Sequence, residues 1–449
     1  MRVVNYRRKH LRAWLVAFAV LLFLSSGAIR RGHAQTLSNF DRERGRIMLE
    51  NIKNEVKKNY YDPAFRGMDL EARFKTADER IKQATSLGQV FGIIAQVLLD
   101  LDDSHTFFFP PTRTASTEYG WKMQMVGDNC YVVAVKPGSD AEAKGLKVGD
   151  MILSVGGYGV ARENKWKMDY LFNVLRPQPG LKIEAQSPDG RLRQLEILAK
   201  VTQGKRVLEL AGGAGGGVDI GKIIREIENE DRMNRQRYVE EGDVFIWKMP
   251  GFDLSEDGVD EMMSKVGKSK ALILDLRGNS GGYVITLQRL LSHFADSDIK
   301  IGDEKRRKET KPLVARSRNR KFKGKLIVLV DSESASSSEV FARVVQLEKL
   351  GTVVGDRTQG AVMESVFHQL GMGTATTIFY GASITVADLI MTDGKSLERV
   401  GVTPDEIVLP TASDLAAKRD PVLARAAALL GFDLNAERAG AMFPIEWRK

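Results

Sequence analysis

A serine-rich turn between a predicted buried strand and a predicted helix is the first place where this sequence could do chemistry. The segment LIVLVDSESASSSEVFARVV places Ser336 at or just before the helix start. Unpaired amides and the helix dipole favour negative charge there, so a serine could attack a carbonyl while neighbouring amides receive the oxyanion. Serines before helices are also ordinary N-caps, and Ser337 or Ser338 fits that role too. The segment alone leaves a nucleophile and a cap open.

A glycine pair after a second buried strand could supply the other half of an oxyanion site. The segment ALILDLRGNSGG runs from an apolar strand pattern directly into Gly281 and Gly282. Glycines at a strand end allow close backbone approach and can offer their N–H groups to a ligand. Alone the pair predicts a turn, but together with a helix-start serine it completes an oxyanion site.

A serine nucleophile needs a base, and histidine is the usual one near neutral pH. Beyond residue 34 the histidines are His105, His293 and His368. His293 lies in an amphipathic helix pattern, where we expect a surface or boundary role, and His368 lies in the strand-like VFHQL, where we expect a structural role. His105 follows a helical segment in LDDSHTFFFPP, after Asp102 and Asp103, which we interpret as a solvated acidic helix end.

Three patterned regions must position these residues. Apolar residues recur at helical spacing from about residue 37 to 101, with a break at residues 61–63. Short strands with glycine turns follow from about 117 to 201, including a hairpin about residues 189–190. From about 244 to 410, apolar strands alternate with helices, which predicts an α/β sheet buried on both faces.

The first residues predict export. Residues 1–12 are basic, residues 13–24 are apolar, and small residues lead to Ala34, which is the order of a secretory signal cleaved after Ala34. The alternative is an uncleaved membrane anchor, although a span normally needs about 20 apolar residues. The protein would be periplasmic or extracellular, or membrane-anchored if the signal is kept. Residues 1–34 carry seven Lys/Arg and no acid, so cleavage lowers the net charge from +9 to +2 and the high charge indicates no nucleic-acid partner.

Three other features have simple interpretations. Cys130, the single cysteine, lies in an apolar strand pattern and is predicted to be a buried, inert thiol. Residues 203–242 combine GGAGGG with a charged segment, which predicts a flexible linker and a helix rather than a phosphate site. The basic run at 305–325 predicts a solvated loop or hairpin, or a surface for acidic substrate or an anionic membrane. No Cys/His spacing predicts a metal site, and no cofactor is implied.

The ordered motifs resemble the tail-specific, or C-terminal processing, serine peptidases. DLRGNSGG, SASSSE and GVTPDEIV carry the resemblance, together with SDAEAKGLKVGDMILSVGG, which is similar to a bacterial-type PDZ domain. The resemblance implies an α/β catalytic domain of the ClpP/crotonase-like kind, with an N-terminal helical domain and a β-rich PDZ-like domain. In that family the nucleophile stands three residues before the glutamate of the serine string, which is Ser336 before Glu339.

One departure indicates the histidine-using branch of that family. The better-known branch has a lysine base some 25 residues after the serine, and Ala361 stands at that position here. The sequence is similar instead to the branch typified by the core of tricorn protease. That likeness implies His105 as the base, with Ser104 and Glu398 in its hydrogen-bonded relay.

The resemblance also implies the supporting residues. The amides of Ser337 and of Gly281 or Gly282 would hold the oxyanion. The place of Glu339 at the predicted helix start indicates a helix-start carboxylate rather than a catalytic acid. The PDZ-like domain would bind an extended peptide, through its C-terminal carboxylate, at residues Tyr119, Gly120, Trp121, Lys122 and Met123. The alternative is a bridging module that only holds the active site open.

We therefore predict an exported serine peptidase that cleaves proteins or peptides by acyl-enzyme chemistry. The alternatives are a catalytically inactive binder of peptides or hydrophobic ligands on the same scaffold, and an exported PDZ-based adaptor. The predicted boundaries are a signal at 1–34, a helical domain at 35–110, a PDZ-like domain at 115–202, a linker and charged helix at 203–242, the peptidase domain at 243–412, and a helical tail at 413–449.

Overall fold

The computed structural model describes residues 37–111, 115–203, 236–318, 321–373, 377–445 and 447. The predicted signal peptide, the glycine-rich segment and most of the predicted charged helix lie outside these residues. Within the described chain, no helix has both the length and the apolar character that crossing a bilayer requires.

Three helices form the N-terminal part of the described chain. They are α1 (Asn39–Asn59), α2 (Leu70–Lys82) and α3 (Leu87–Leu99). Each begins at a side-chain cap, because Ser38, Asp69 and Ser86 each accept a backbone N–H from three residues further on. Their apolar faces form a common core that contains Ile52 and Ile94. The helical spacing of this part of the sequence therefore arises from a buried stripe on each helix.

After α3 the chain forms strand β1 (Phe107–Phe109) and then enters a β-rich region. The strands of that region are β2 (Ala115–Glu118), β3 (Trp121–Val126), β4 (Asn129–Val135), β5 (Met151–Val155), β6 (Tyr158–Gly159), β7 (Gly180–Gln186), β8 (Leu192–Leu198) and β9 (Lys200–Gln203), and its helices are α4 (Asp140–Ala143) and α5 (Lys165–Tyr170). The main sheet has the order β3-β4-β5-β7-β8, which leaves β3 at an edge. Cys130 on β4 is buried, as predicted, and burial raises the pKa of its thiol to about 12.

A six-stranded sheet forms the centre of the C-terminal region. In spatial order its strands are β10 (Arg237–Glu241), β11 (Val244–Lys248), β12 (Ala271–Asp275), β15 (Lys325–Val330), β16 (Thr352–Gly355) and β19 (Glu406–Ile407). From β11 onwards all neighbours are parallel. Successive residues face two separate cores, with Phe245 and Trp247 in one and Ile246 and Ile273 in the other. The sheet is therefore buried on both faces, which explains its continuous apolar runs.

Helices cover both faces of this sheet. The helices α6 (Glu256–Val266), α7 (Val284–Leu291) and α8 (Ser337–Leu347) contribute to one core. On the other face, α10 (Pro421–Leu429) packs in a core with Leu434 and Ala439, after the short helix α9 (Ala412–Ala416) and before α11 (Ala436–Met442). This arrangement places the start of α8, and with it Ser336, at the carboxyl ends of the parallel strands.

Five strands form a second, antiparallel sheet that the sequence pattern did not predict. Besides β1 they are β13 (Ile299–Arg306), β14 (Thr310–Ala315), β17 (Met363–Met372) and β18 (Ile378–Met391). The long strand β18 pairs with β1, β13 and β17. One face of it, with Tyr380, Ala382 and Ile384, packs on the N-terminal helices. The first part of the basic run at 305–325 lies in the hairpin of β13 and β14. A hairpin is one of the structures predicted for this run.

The predicted charged helix is wrong at its C-terminal end. Residues Arg237–Glu241 form strand β10, which pairs antiparallel with β11 through a tight turn at Gly242, where φ is +59°. Tyr238 stacks on Phe245 across the pair, with 5.0 Å between the ring centroids. Cross-strand aromatic pairing of this kind outweighs the local helical pattern of a charged sequence. The sheet therefore begins at residue 237 rather than 243.

Candidate active site

Ser336 ends the turn between β15 and α8, which we call the serine turn (residues 331–336). As the N-cap residue of α8 it has a φ of 55° and a ψ of −122°, in a region that a non-glycine residue rarely adopts. The Ser336 N–H donates to the carbonyl of Ala361 at 2.8 Å and to Glu339 Oε2 at 3.1 Å. Strained backbone of this kind persists only where surrounding contacts hold it, and it concentrates at functional sites.

Glu339 holds the serine turn from inside the protein. Its Oε1 accepts from Thr358 Oγ1 at 2.5 Å and from the Gly360 N–H at 2.7 Å, and its Oε2 accepts from the N–H groups of Ala361 and Ser336. Burial raises the pKa of Glu339 to about 7, although these hydrogen bonds oppose the shift. Glu339 is thus a helix-start carboxylate, as predicted, and it also ties the serine turn to the segment that follows β16.

The glycine pair lies directly against the serine turn. A side chain at Gly281, where φ is +94°, would place its Cβ 2.5 Å from Ser336 Cβ. A side chain at Gly282, where φ is +146°, would place its Cβ 2.2 Å from the carbonyl oxygen of Phe252. Only glycine fits such close backbone approaches with these dihedral angles. The structure therefore shows close approach between segments of the protein itself, and the predicted approach to a ligand stays a prediction.

The amides near Ser336 differ in their hydrogen bonding. The Gly281 N–H donates to Asn279 Oδ1 at 2.9 Å. Among the residues that the structure describes, the amides of Ser337 and Gly282 have no acceptor. Ser337 Oγ donates to the Gly282 carbonyl at 3.1 Å and so fixes the two segments together. Two amides are therefore left beside Ser336 that a ligand oxygen could use.

His105, Ser104 and Glu398 form a hydrogen-bonded chain. Ser104 Oγ lies 2.7 Å from His105 Nδ1 and donates to Glu398 Oε2 at 2.8 Å. Because the single hydroxyl proton goes to the carboxylate, the hydroxyl oxygen accepts from Nδ1–H, and the lone pair of the neutral imidazole is left on Nε2. Desolvation by the surrounding protein lowers the pKa of His105 to about 4, so the ring is neutral at neutral pH.

Glu398 links this histidine to the serine turn. Its Oε2 also accepts from the Val362 N–H at 3.0 Å, and the adjacent Ala361 holds the Ser336 amide. Burial raises the pKa of Glu398, and the hydrogen bonds it accepts oppose the shift. No hydrogen bond between described atoms joins Ser336 Oγ to His105 Nε2. Such contacts are often long in an enzyme without substrate and shorten when substrate binds.

Asp103 contradicts the prediction of a solvated acidic helix end. The side chain is buried, and it accepts from the N–H of His105 at 2.9 Å and from the hydroxyls of Tyr60 and Thr385 at 2.9 and 2.8 Å. Only the preceding Asp102 is exposed. Asp103 therefore fixes the His105 loop to α1 and to β18. The local sequence carried no signal for this, because the two hydroxyls come from residues far away along the chain.

The other two histidines have partners away from the serine turn. His293 Nε2 lies 2.8 Å from Asp260 Oδ1, and His368 Nδ1 lies 3.2 Å from Glu55 Oε2. Both side chains are partly buried. At the position where the related branch has lysine, Ala361 is buried and offers only its backbone. Of the histidines in the described chain, His105 is the one that the structure connects to the serine turn.

The predicted peptide-binding residues lie at the edge strand of the β-rich region. Tyr119 and Gly120 form the turn before β3, and Trp121, Lys122 and Met123 begin the strand. All five line a cleft of about 1540 Å³, which is also lined by Met168 and Phe172 and by residues near the C-terminus of the chain. Trp447 is one of these, and its ring centroid lies 5.3 Å from Lys122 Nζ. The five residues therefore share one concave surface.

The β-rich region also contacts the serine turn. Gln124 Nε2 donates to Asp331 Oδ2 at 2.6 Å, and Ser332 Oγ donates to the carbonyl of Met125 at 2.6 Å. Lys165 on α5 lies 2.7 Å from Glu333 Oε1. The second half of β3 is thus fixed to the turn that leads to Ser336.

Comparisons with known proteins agree with this architecture. Residues 243–408 match the sequence model of Peptidase family S41, and residues 113–179 match that of the PDZ domain. Carboxy-terminal processing protease CtpA of Bacillus subtilis is 22% identical over 396 residues, covering 87% of this chain and 74% of the relative. Putative tricorn protease homolog 2 of Streptomyces coelicolor is 24% identical over 404 residues, covering 83% of this chain and 31% of the relative.

A solved structure supports the fold. The crystal structure of mature CPAF superposes with a TM-score of 0.61 at 16% identity, covering 84% of this chain and 94% of that one. At this identity the likeness concerns the fold alone. The predicted fold class, a helical N-terminal domain with a PDZ domain and an α/β peptidase domain, is confirmed. Residues 243–408 therefore form a Peptidase family S41 domain and residues 113–179 a PDZ domain, in a serine peptidase that is similar to the C-terminal processing proteases.

Proposed function

We propose that this peptidase cleaves proteins or peptides through an acyl-enzyme on Ser336, with His105 as general base. One observation carries the proposal, namely the hydrogen bonds that run from His105 through Ser104 to Glu398 and on to the segment that holds the Ser336 amide. The strained backbone at Ser336 supports it independently. Residues 1–34 stay a predicted secretory signal, and export is part of the proposal.

Acylation begins when Ser336 Oγ attacks the carbonyl carbon of the scissile peptide bond. The hydroxyl proton moves to His105 Nε2, and the carbonyl electron pair moves to its oxygen. The amides of Ser337 and Gly282 hold the resulting oxyanion, because the Gly281 N–H, the other predicted donor, already donates to Asn279 Oδ1. When the intermediate collapses, the C–N bond breaks and the leaving amine takes the proton from His105.

Deacylation repeats the sequence with water. His105 accepts a proton from the water that attacks the ester carbon, and the same amides hold the second oxyanion. Collapse breaks the bond to Ser336 Oγ, which recovers its proton from His105, and the carboxylic acid product leaves. Ser104 and Glu398 act as positioning residues, because they fix the tautomer of His105 and stabilise its charged form.

We expect the acid limb of the pH profile of kcat/KM to lie near pH 4. The base must be neutral to accept a proton, and burial keeps His105 neutral down to its pKa of about 4. His105 is therefore neutral, and able to accept a proton, at pH values above about 4, whereas an ordinary histidine of pKa about 6.5 would be only about a tenth neutral at about pH 5.5. Turnover of an internally quenched peptide at a series of pH values measures this. A limb centred near 6.5 would contradict the proposed environment.

We further propose that the PDZ domain presents extended peptide at the first half of β3. Domains of this kind add a peptide to a sheet edge and hold its terminal carboxylate with backbone N–H groups. Gln124 and Met125 in the second half of β3 are fixed to the serine turn. The residues just before them, 121–123, line the cleft. A peptide bound there would lie beside the turn that carries Ser336.

Replacing Trp121 by alanine tests whether the cleft presents substrate to the active site. We expect KM for an unfolded protein substrate to rise about tenfold, because the aromatic wall of the cleft is lost, while kcat/KM for a short peptide changes less than about twofold. Tyr158→Ala is the matched control, since Tyr158 is an exposed aromatic of the same domain that does not line the cleft. Equal effects of Trp121→Ala on both substrates would argue against presentation by this cleft.

A further inference from the structure

The outer face of the antiparallel sheet carries exposed aromatic side chains on β1, the strand that follows His105, and on β17 and β18. Phe109 on β1 is 37% exposed, Phe367 on β17 is 53% exposed, and Phe379 on β18 is 57% exposed. Phe107, at the start of β1, is partly buried. We call these four residues the aromatic platform. The outer face of an antiparallel sheet is ordinarily polar, so adjacent exposed rings indicate a surface that another molecule covers.

Strand register makes the platform continuous. Phe107 and Phe367 both pair with Ser383, one from each side of β18, so the side chains lie on the same face. The rings of Phe109 and Phe367 meet edge to face, with 5.2 Å between their centroids. Gly381 allows this, because a Cβ there would fall 2.6 Å from the Phe367 ring. The missing side chain lets the ring of Phe367 lie across β18.

The platform extends from the proposed base to the PDZ domain. Phe107 follows His105 by two residues, so the platform begins at the end of β1 that is nearer to His105 along the chain. The ring of Phe107 lies 6.0 Å from that of Tyr170 on α5, and the Tyr170 hydroxyl donates to the carbonyl of Phe108. The same helix lines the PDZ cleft with Lys165 and Met168. A polypeptide that leaves the cleft along α5 would therefore meet these rings close to His105.

We propose that the aromatic platform binds apolar side chains of the substrate polypeptide next to the scissile bond. The inference rests on the proposed function, because it needs the scissile bond to lie at His105. An unfolded polypeptide exposes the leucines and aromatics that such rings can cover, whereas a folded protein keeps them buried. The platform would thus favour unfolded, hydrophobic segments over polar ones.

The test compares peptides that differ at one position. Internally quenched peptides of equal length carry leucine or serine at successive positions on both sides of the bond that is cleaved. We expect the wild type to prefer leucine by about tenfold in kcat/KM at one or more positions, and Phe109→Ser/Phe367→Ser to lose that preference through KM with kcat kept. Phe40→Ser is the control, because Phe40 is 68% exposed on α1 away from this sheet. It should keep the preference.

A second readout separates this inference from the proposed function. The rate at which a fluorophosphonate modifies Ser336 depends on the nucleophile and base and not on the platform, so the double variant should match the wild type. Normal labelling with an unchanged leucine preference would overturn the inference alone. Absence of labelling in every protein would overturn the proposed function and the inference with it. If the double variant differs from the wild type only in its oligomeric state, measured by sedimentation, the platform is an interface between copies of the chain. That result also overturns the inference.

Discussion

Replacing Ser336 or His105 by alanine is expected to lower kcat by about 10⁴-fold or more. Without Ser336 Oγ no acyl-enzyme can form, and without the imidazole no group in the site takes the hydroxyl proton. Since both residues act in the same step, the kcat of the double variant Ser336→Ala/His105→Ala should be no lower than that of the slower single variant. Turnover of an internally quenched peptide measures all three.

His293→Ala is the matched control for this prediction. His293 also has a carboxylate partner, Asp260, but it lies away from the serine turn. The variant should keep kcat within about twofold. Melting temperatures of all variants show whether the fold is kept. Turnover by His105→Ala within about tenfold of the wild type would remove His105 from the mechanism.

Replacing Glu398 by glutamine is expected to lower kcat by about 10² to 10³-fold while KM changes little. The carboxylate accepts from Ser104 Oγ, from the Ser104 N–H and from the Val362 N–H. Ser104 Oγ and the Val362 N–H both donate to Oε2, so the glutamine oxygen takes that position and its NH2 group faces the Ser104 N–H, which loses its acceptor. The neutral amide also no longer stabilises the imidazolium that forms when His105 accepts the proton.

The partner variant Ser104→Ala tests whether these residues act as one unit. It removes the acceptor for His105 Nδ1–H and should also lower kcat. If the relay acts through His105, Ser104→Ala/Glu398→Gln should be little worse than either single variant. A purely structural role would lower the melting temperature and leave the kcat of the folded fraction unchanged. Additive losses, or a folded Glu398→Gln enzyme with full kcat, would contradict the relay.

Local sequence predicted the serine side of the site better than the histidine side. Ser336 and the glycine pair follow apolar strands directly, and the carboxyl ends of parallel strands meet at one edge of a sheet. Their proximity therefore follows from strand order. His105 lies on a loop before β1, and nothing in LDDSHT separated it from His293 and His368. The local patterns of His293 and His368 predicted other roles for them, but the role of base for His105 came from the family resemblance.

The features that the sequence missed depend on partners that lie outside the segment itself. Asp103 is buried because Tyr60 and Thr385 supply hydroxyls to it. Strand β10 forms because β11 lies beside it, although its charged sequence suggested a helix. The antiparallel sheet of β13, β14, β17 and β18 joins segments whose local patterns are irregular. Periodicity reports which face of a segment is buried, but it does not report which segment covers that face.

The most direct measurement is the site and rate of fluorophosphonate labelling, followed by mass spectrometry of the modified peptide. The relay predicts that the wild type is modified at Ser336, that the rate rises as the pH rises through about 4, and that His105→Ala reacts slowly at every pH. Modification at a different serine, or equally fast labelling of His105→Ala, would contradict it.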